Sequence, residues 1–395
     1  MFNFRSFIFL LIQFKIYNSV SQLPESWDKL PTNDIFLKSS FLEGLEKSFP
    51  TNITAYYVGV FNNQKLVGIA IIQRVQMYAD DIFRKSNTNG LKQFAKQMIS
   101  KIVKGNALVV GNLMHTGQHG IYFIDHAISQ SDYLYQIEKA LNALIEEIKL
   151  KFNKKVRIIV FKDYFETDSI HESLDFFETN NLYKIQVQPN MILNIPKSWR
   201  STEDYISAFN KKYKRRYQTA RKKATNLTFK ELDESFLKAH EDIIFDLYEN
   251  VSDNARVNSF KLNANHFYEL KTHLKDKFRV FGVFSKDQLV GFYTLILNNE
   301  ILETYFLGYN KALQHQYQMY LNMLFNMASF GIDNGFKTIV FARTAMEIKS
   351  SIGAKPHTMH VYLNHTNNFI ANTLLKGIVK YMNPIQTWEE RHPFK

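Results

Sequence analysis

The chain has 395 residues, 45% of them hydrophobic and 22% charged, with 34 Phe and 21 Tyr, a balance that specifies folded domains with ordinary cores and excludes a disordered chain. Its formal charge of +12 favours phosphate-bearing partners (nucleotides, RNA or coenzyme A) and anionic membrane surface, without choosing among them. The cysteine count of 0 excludes thiolate nucleophiles, thiolate zinc sites, iron–sulfur ligation and disulfides, and suits a reducing compartment; a cytoplasmic protein is expected.

From the N-terminus, Ser6 to Ile12 form a short apolar run behind Arg5, but no small-x-small cleavage site follows, and Phe14 to Val20 resume a strand alternation. The run reads as an N-terminal extension or first strand, and no other apolar run has the length to cross a bilayer. Gly59 to Gly68 and then Ile69 to Gln73 read as a β-hairpin. Arg74 to about Gly111 reads as an insertion over the site. In Met114-His115-Thr116-Gly117-Gln118-His119-Gly120 the histidines have metal-like spacing. Glycines interrupt any helix there, so the loop is expected to line a cleft and touch substrate, with no metal. Leu134, Ile137, Leu141, Leu144, Ile145 and Ile148 recur at helical spacing ahead of the buried strand Val156 to Phe161.

Pro189 and Pro196 bracket a short strand, Met191 to Ile195, and the boundary between two domains, 1–195 and 196–395, is expected near Pro196. Asp204 is expected to cap one helix with the apolar face Tyr205, Ile206, Phe209, Tyr213, Tyr217, Ala220 and Ala224. The other face carries Lys211, Lys212, Lys214, Arg215, Arg216, Arg221, Lys222 and Lys223, which is either a solvated face or a site for phosphate groups. A second hairpin spans Gly282 to Leu297. Strand Ile301 to Leu307 puts Glu303 and Tyr305 on one face. The helix through Tyr317, Leu321, Leu324, Phe325 and Ala328 ends at Asp333-Asn334-Gly335, ahead of Phe336 to Phe341. The chain then leaves the strand end with Arg343, Glu347 and Lys349 close together before Gly353 and Pro356, as open α/β sheets build sites. No Gly-x-Ser-x-Gly elbow, P-loop or dinucleotide fingerprint occurs.

Two segments match without gaps: Gly59 to Gly68 and Gly282 to Gly291 agree at six of ten positions. The order hairpin, strand, helix, strand occurs twice, which implies an internal duplication.

The block from Tyr317 to Pro356, with Glu347-Ile348-Lys349-Ser350-Ser351-Ile352-Gly353-Ala354-Lys355-Pro356, resembles the C-terminal half of the Fem-type peptidyltransferases and related GNAT-family acetyltransferases. The basic run Arg215 to Lys223 and the ending Trp388 to Lys395 are similar to theirs as well. The resemblance covers about residues 200 to 395. It implies an α/β (α+β) fold of two tandem GNAT-like domains, mixed twisted sheets with helices on both faces around a central cleft. It also implies acyl transfer to an amine. Lys349 aligns with a lysine near the transfer site of the Fem-type enzymes, where it can neutralise negative charge on the intermediate. Glu303 lies where many acetyltransferases of this fold carry a general base, and Tyr305 is placed to protonate the leaving group. Arg343, Glu347, Lys214, Arg215, Arg216, Arg221, His115 and His119 are the expected substrate-binding residues.

The Gly-rich loop that holds pyrophosphate in CoA-binding relatives has no counterpart in Gly308 to Tyr317. The donor therefore stays open between acetyl-CoA or another acyl-CoA, acylating an amine on a cell-envelope or amino-sugar precursor, and aminoacyl-tRNA, extending a peptidoglycan precursor. A third reading, from another class, is a non-catalytic module that binds RNA or a nucleotide-linked precursor.

Overall fold

Two apolar strands joined by two polar residues close through a turn whose twist matches theirs. The computed structural model describes residues 12–77, 104–253, 260–366, 369–382 and 387–395. In its first hairpin, β2 (Ile53–Asn62) and β3 (Lys65–Met77), the connecting Asn63 and Gln64 have φ of +48° and +67°. In the second, β9 (Phe278–Ser285) and β10 (Gln288–Asn298), Lys286 and Asp287 have φ of +48° and +64°. The same left-handed pair thus closes both copies, without a glycine.

On either side of the hairpins the pairing repeats. β1 (Ile12–Tyr17) runs antiparallel to β2, and β3 to β4 (Gly105–Val110), which is parallel to β6 (Val156–Phe165); a short β5 (Ile121–Phe123) adds to β3. Further along, β8 (Leu227–Glu231) runs antiparallel to β9, and β10 to β11 (Ile301–Tyr309), which is parallel to β12 (Thr338–Val340). The last strand of each half crosses over. β7 (Tyr183–Asn194) pairs with β12, β13 (Lys355–His365) pairs with β6, and the two pair with each other. The result is one mixed sheet whose pattern of antiparallel and parallel neighbours reads the same from either end.

Strand alternation sorts the side chains between cores. Ala55 and Tyr57 of β2 join a core shared with Phe278, Val280, Phe292 and Ile296 of the second hairpin, while Tyr56, Val58 and Val60 face helix α2 (Gln130–Phe152). Helices α1 (Ser39–Glu46), α5 (Glu241–Ser252) and α6 (His266–Leu274) contribute to the shared core, and α7 (Met319–Asp333) covers the second half's outer face. Burial of each large apolar side chain there stabilises by roughly 1.5–3 kcal/mol. The hairpin glycines make room for the outer helices: a Cβ on Gly68 would lie 2.8 Å from the Tyr133 ring, and one on Gly291 2.7 Å from Met323 Cε.

Helix α2, closed by Asn153 at φ +50°, and α7, followed by Gly335 at φ +74°, match their periodicities. Three expectations need correction or limit. The single helix after Asp204 is two, α3 (Thr202–Ala208) and α4 (Lys211–Lys223): Ser201 is the cap, Asp204 completes its capping box, and Phe209 leaves the helix to form a bridge with Phe394. The strand expected from Met191 begins at Tyr183 and runs through Pro189, which a bulge accommodates between the pairs Asn190–His357 and Val187–Met359. Most of the insertion expected from Arg74 to Gly111, and the apolar run at Ser6, lie outside the described residues.

Candidate active site

Backbone geometry fixes the histidine loop. Gly111 N donates to Ile71 O (2.9 Å) and Ile71 N to Gly120 O (2.8 Å), so the loop leaves and returns at one point of β3. A Cβ on Gly120 would lie 2.2 Å from Gly111 Cα, so only glycine fits that closure. From the end of β6, Lys162 Nζ donates to His115 O (2.7 Å), and Asp163 accepts from Gly117 N (3.3 Å).

The loop meets β11 where two parallel strands part. Pairing of β11 with β12 ends at Glu303 and Val340, while β11 continues to Tyr309. At the parting lies a cavity of about 100 Å³ bordered by Phe36, His115, Thr116, Glu303, Tyr305 and Ala342. Glu303 is only 6% exposed. Burial, with the negative charge of Asp34 adding and His119 opposing, pushes its carboxyl up to about 7. His119 Nδ1 lies 2.7 Å from Asp34 Oδ2, and its Nε2 lies 3.8 Å from Glu303 Oε1. Burial disfavours the charged imidazole, but Asp34 and Glu303 outweigh it and raise its pKa. Asp34 is held in turn by Asn298 Nδ2 (3.1 Å) and Phe36 N (3.2 Å). His115 stacks on Phe36 with ring centroids 4.1 Å apart. Its two buried ring nitrogens have no hydrogen bond among the described residues, and burial, then the charges of His119 and Lys162, hold it neutral.

Tyr305 borders the cavity, yet its proton is committed elsewhere. Ser48 Oγ donates to Gly44 O (2.7 Å), so it accepts from His266 Nδ1 (3.1 Å), and His266 Nε2 accepts from the Tyr305 hydroxyl (3.1 Å). Burial raises the phenol well above its ordinary value and lowers His266 to about 3. The hydroxyl expected to protonate the leaving group thus ends a hydrogen-bonded file from Ser48 through His266 at the cavity's edge.

Lys349, expected near the transfer site, lies beyond the end of β12. On α8 (Met346–Ser350), it is 4% exposed, and its Nζ donates to Ala342 O (3.2 Å) and Arg343 O (2.6 Å). Burial lowers its amine to about 7. It braces a turn in which Ala342, Thr344 and Ala345 all have positive φ (+56°, +67° and +46°), a conformation that non-glycine residues hold only when surrounding structure enforces it. Arg343 ion-pairs with Asp163, which Lys162 also contacts. Glu347 faces outward and pairs with Arg391 (Nε–Oε1 3.2 Å), away from the cavity. On α4, Arg221 turns inward to Asn322 (3.2 Å) and Asn326 (2.7 Å) and over the Tyr217 ring, whereas Lys214, Arg215 and Arg216 are exposed.

The structure thus brings together Glu303, Tyr305, His115 and His119, and sets Lys349, Arg343, Glu347 and the basic helix around or apart from them. Sequence reasoning missed Asp34, Lys162 and Asp163. The charged pair Lys162-Asp163, directly after the apolar strand Val156 to Phe161, was the available signal. Among the described residues, no group of three or more His, Cys, Asp or Glu is placed to hold a metal ion. Nor is any helix among them long and apolar enough to cross a membrane.

No family model matches the chain, and no curated protein matches its sequence. Among solved structures it is similar to FemX, at 11% identity and TM-score 0.48 over 88% of this chain and 96% of that one. It is also similar to a tandem GNAT protein from the clavulanic acid biosynthesis pathway, at 8% identity and TM-score 0.49 over 91% of this chain and 100% of that one. A third similarity is to L-PGS from Bacillus licheniformis, at 10% identity and TM-score 0.46 over 87% and 94%. Likeness at this level carries no donor, substrate or residue role to this chain.

Proposed function

We propose that the chain is an acyltransferase that moves an acyl group from a thioester or aminoacyl ester to a primary amine, with Glu303 as general base. One observation carries this reading: a buried carboxyl that titrates at about 7 borders a small cavity where two parallel strands part. A base tuned to neutral pH accepts a proton efficiently without being permanently ionised. The resemblance of residues 317–356 to the Fem-type enzymes supports the same reaction class.

The amine nitrogen attacks the acyl carbon and passes a proton to Glu303. The carbon–nitrogen bond forms, the carbon–sulfur or carbon–oxygen bond breaks, and the departing thiolate or alkoxide takes a proton from water, which regains one from the Glu303 carboxyl and so restores the base. No covalent enzyme intermediate is needed, in keeping with a chain of 0 cysteines. His119, whose charged form Asp34 favours, offers positive charge to the developing oxyanion. Tyr305 and Lys349 are positioning residues. In this reading the chain comprises two units, 1–195 and 196–395, the first supplying the histidine loop and the second the base. Its place is the cytoplasm and its acceptor a cell-envelope precursor.

Acyl-CoA is the first reading of the donor. Aminoacyl-tRNA is the second, favoured by the exposed Lys214, Arg215 and Arg216 and by the absence of a Gly-rich loop at Gly308 to Tyr317. Because the protein has no cysteine, a thiol reagent sees only released CoA. Amine-dependent thiol release from acetyl-CoA, with a melting temperature raised by acetyl-CoA, is the expected result. A rise with bulk tRNA and none with acetyl-CoA would replace the donor; silence with both would overturn the acyltransferase reading.

A further inference from the structure

His119 borders one cavity and reaches toward another, its Nε2 3.8 Å from Glu303 Oε1. Beyond the small one at Glu303 lies a second, of about 300 Å³, walled by Tyr122, Phe123, Tyr164, Asp168 and Ser169. This volume is at the lower end for small-molecule sites and fits one monosaccharide-sized ligand.

Most polar groups on its wall are already used. The Tyr122 hydroxyl donates to Pro31 O (2.9 Å), the Gln118 side chain accepts from Gly120 N and Ile121 N (2.9 and 3.1 Å), and Gln130 is bound to Ser169 and Ser173. Two are not. Tyr164 is 2% exposed, yet its hydroxyl makes no hydrogen bond among the described residues. Asp168 accepts from Phe165 N (2.8 Å) through one carboxylate oxygen, and the other has no partner among the described residues. Burial raises both groups, and the charge of Asp168 adds to the rise at Tyr164, which puts hydroxyl and carboxylate in each other's field. Both groups line the cavity, so a ligand that enters it can supply the partners they lack.

Aromatic rings, an unused carboxylate oxygen and an unused phenol on one wall are complementary to a pyranose, whose C–H face packs on rings while its hydroxyls donate to carboxylate. The opposite end is closed by His119, whose Nε2 lies 3.8 Å from Glu303 Oε1, so a ligand here is one side chain away from the base.

We propose that this cavity is the acceptor chamber and that the acceptor is an amino sugar, its hydroxyls on Asp168 and Tyr164 and its amine turned past His119 toward Glu303. The inference rests on the acyl-transfer reading for the role of the chamber. The pyranose follows from the wall, and its amine from that reading.

Donor-free titration calorimetry with D-glucosamine and D-glucose tests it on the wild type, Asp168→Asn and Tyr164→Phe. Asp168→Asn keeps an oxygen for Phe165 N, so the turn survives, and thermal melts check that both variants are folded. Saturable glucosamine binding is expected, weaker by about tenfold in Asp168→Asn and severalfold in Tyr164→Phe, with glucose severalfold weaker than glucosamine. No saturable glucosamine binding, an Asp168→Asn affinity within about twofold of wild type, or glucose binding as tightly as glucosamine would overturn the proposal. If the variants weaken binding but acetyl-CoA and glucosamine yield no thiol and bulk tRNA raises no melting temperature, the chamber stands and the acyl-transfer reading falls. If thiol release occurs with binding indifferent to Asp168, the chamber falls and the reaction stands.

Discussion

The two halves build the same hairpin, parallel pair and outer helix, and differ at single positions of equal register. Glu303 sits opposite Val340 on β11; the matching residue on β4, opposite Val160, is Val109, buried in the core. Two residues beyond the matched Phe161 and Phe341 stand Asp163 and Arg343, which pair with each other across the middle of the molecule. Packing has kept the repeat alike, because both halves must bury the same faces. In the proposed function the chemistry lies where they diverge, with one half supplying the carboxyl and the other the histidine loop beside it.

The comparison breaks most directly at that register. Glu303→Gln is expected to lower turnover by about 10²–10⁴-fold, while Val109→Ala leaves turnover within about twofold, measured as thiol release on variants shown to be folded. Next comes the central pair. Asp163→Asn leaves Lys162 and Arg343 without a counter-charge and costs about 3–5 kcal/mol in denaturant unfolding, whereas Arg343→Gln costs less, because Lys162 still pairs with Asp163.

Glu303 also shapes stability against pH. An ordinary Glu carboxyl titrates at 4.5 and this one at about 7, so between those values the folded state holds a proton that the unfolded state has lost, and stability falls as pH rises. The penalty is absent below the lower value and complete above the upper, on the order of 3 kcal/mol. Glu303→Gln should abolish this slope, leaving the variant more stable than wild type at about pH 8 and similar near pH 4. A parallel slope in the variant would remove Glu303 as its source.

The smallest effects divide the faces of α4. Arg221→Ala should cost about 1–2 kcal/mol through its bonds to Asn322 and Asn326. Replacing Lys214, Arg215 and Arg216 by Gln should leave stability within about 0.5 kcal/mol but flatten the salt dependence of tRNA binding. Equal binding by that triple variant would reduce the basic run to a solvated face.

Much of the fold was legible in the sequence, since hairpins, helices and buried strands each carry a local period: Leu134 to Ile148 announced α2, and the match of Gly59 to Gly68 with Gly282 to Gly291 announced the repeat. The exchange of β7 and β13 carried no local signal, because pairing partners far apart in the chain leave no mark on periodicity. At the site, Glu303 was singled out through the resemblance and the histidines through their spacing in a Gly-bearing loop. Asp34 was not, as nothing near it in sequence points to His119, 85 residues away. Lys349 was placed by resemblance as a charge for the intermediate; its burial against two carbonyls is a tertiary fact that no motif encodes.

The most direct test of the central claim is the pH profile of kcat/KM for amine-dependent thiol release, in wild type and Glu303→Gln. The account predicts that the wild-type rate climbs through an apparent pKa near 7 as Glu303 ionises, and that the variant's residual rate lacks this step. A variant that keeps both the rate and the step would contradict the assignment of Glu303 as the base.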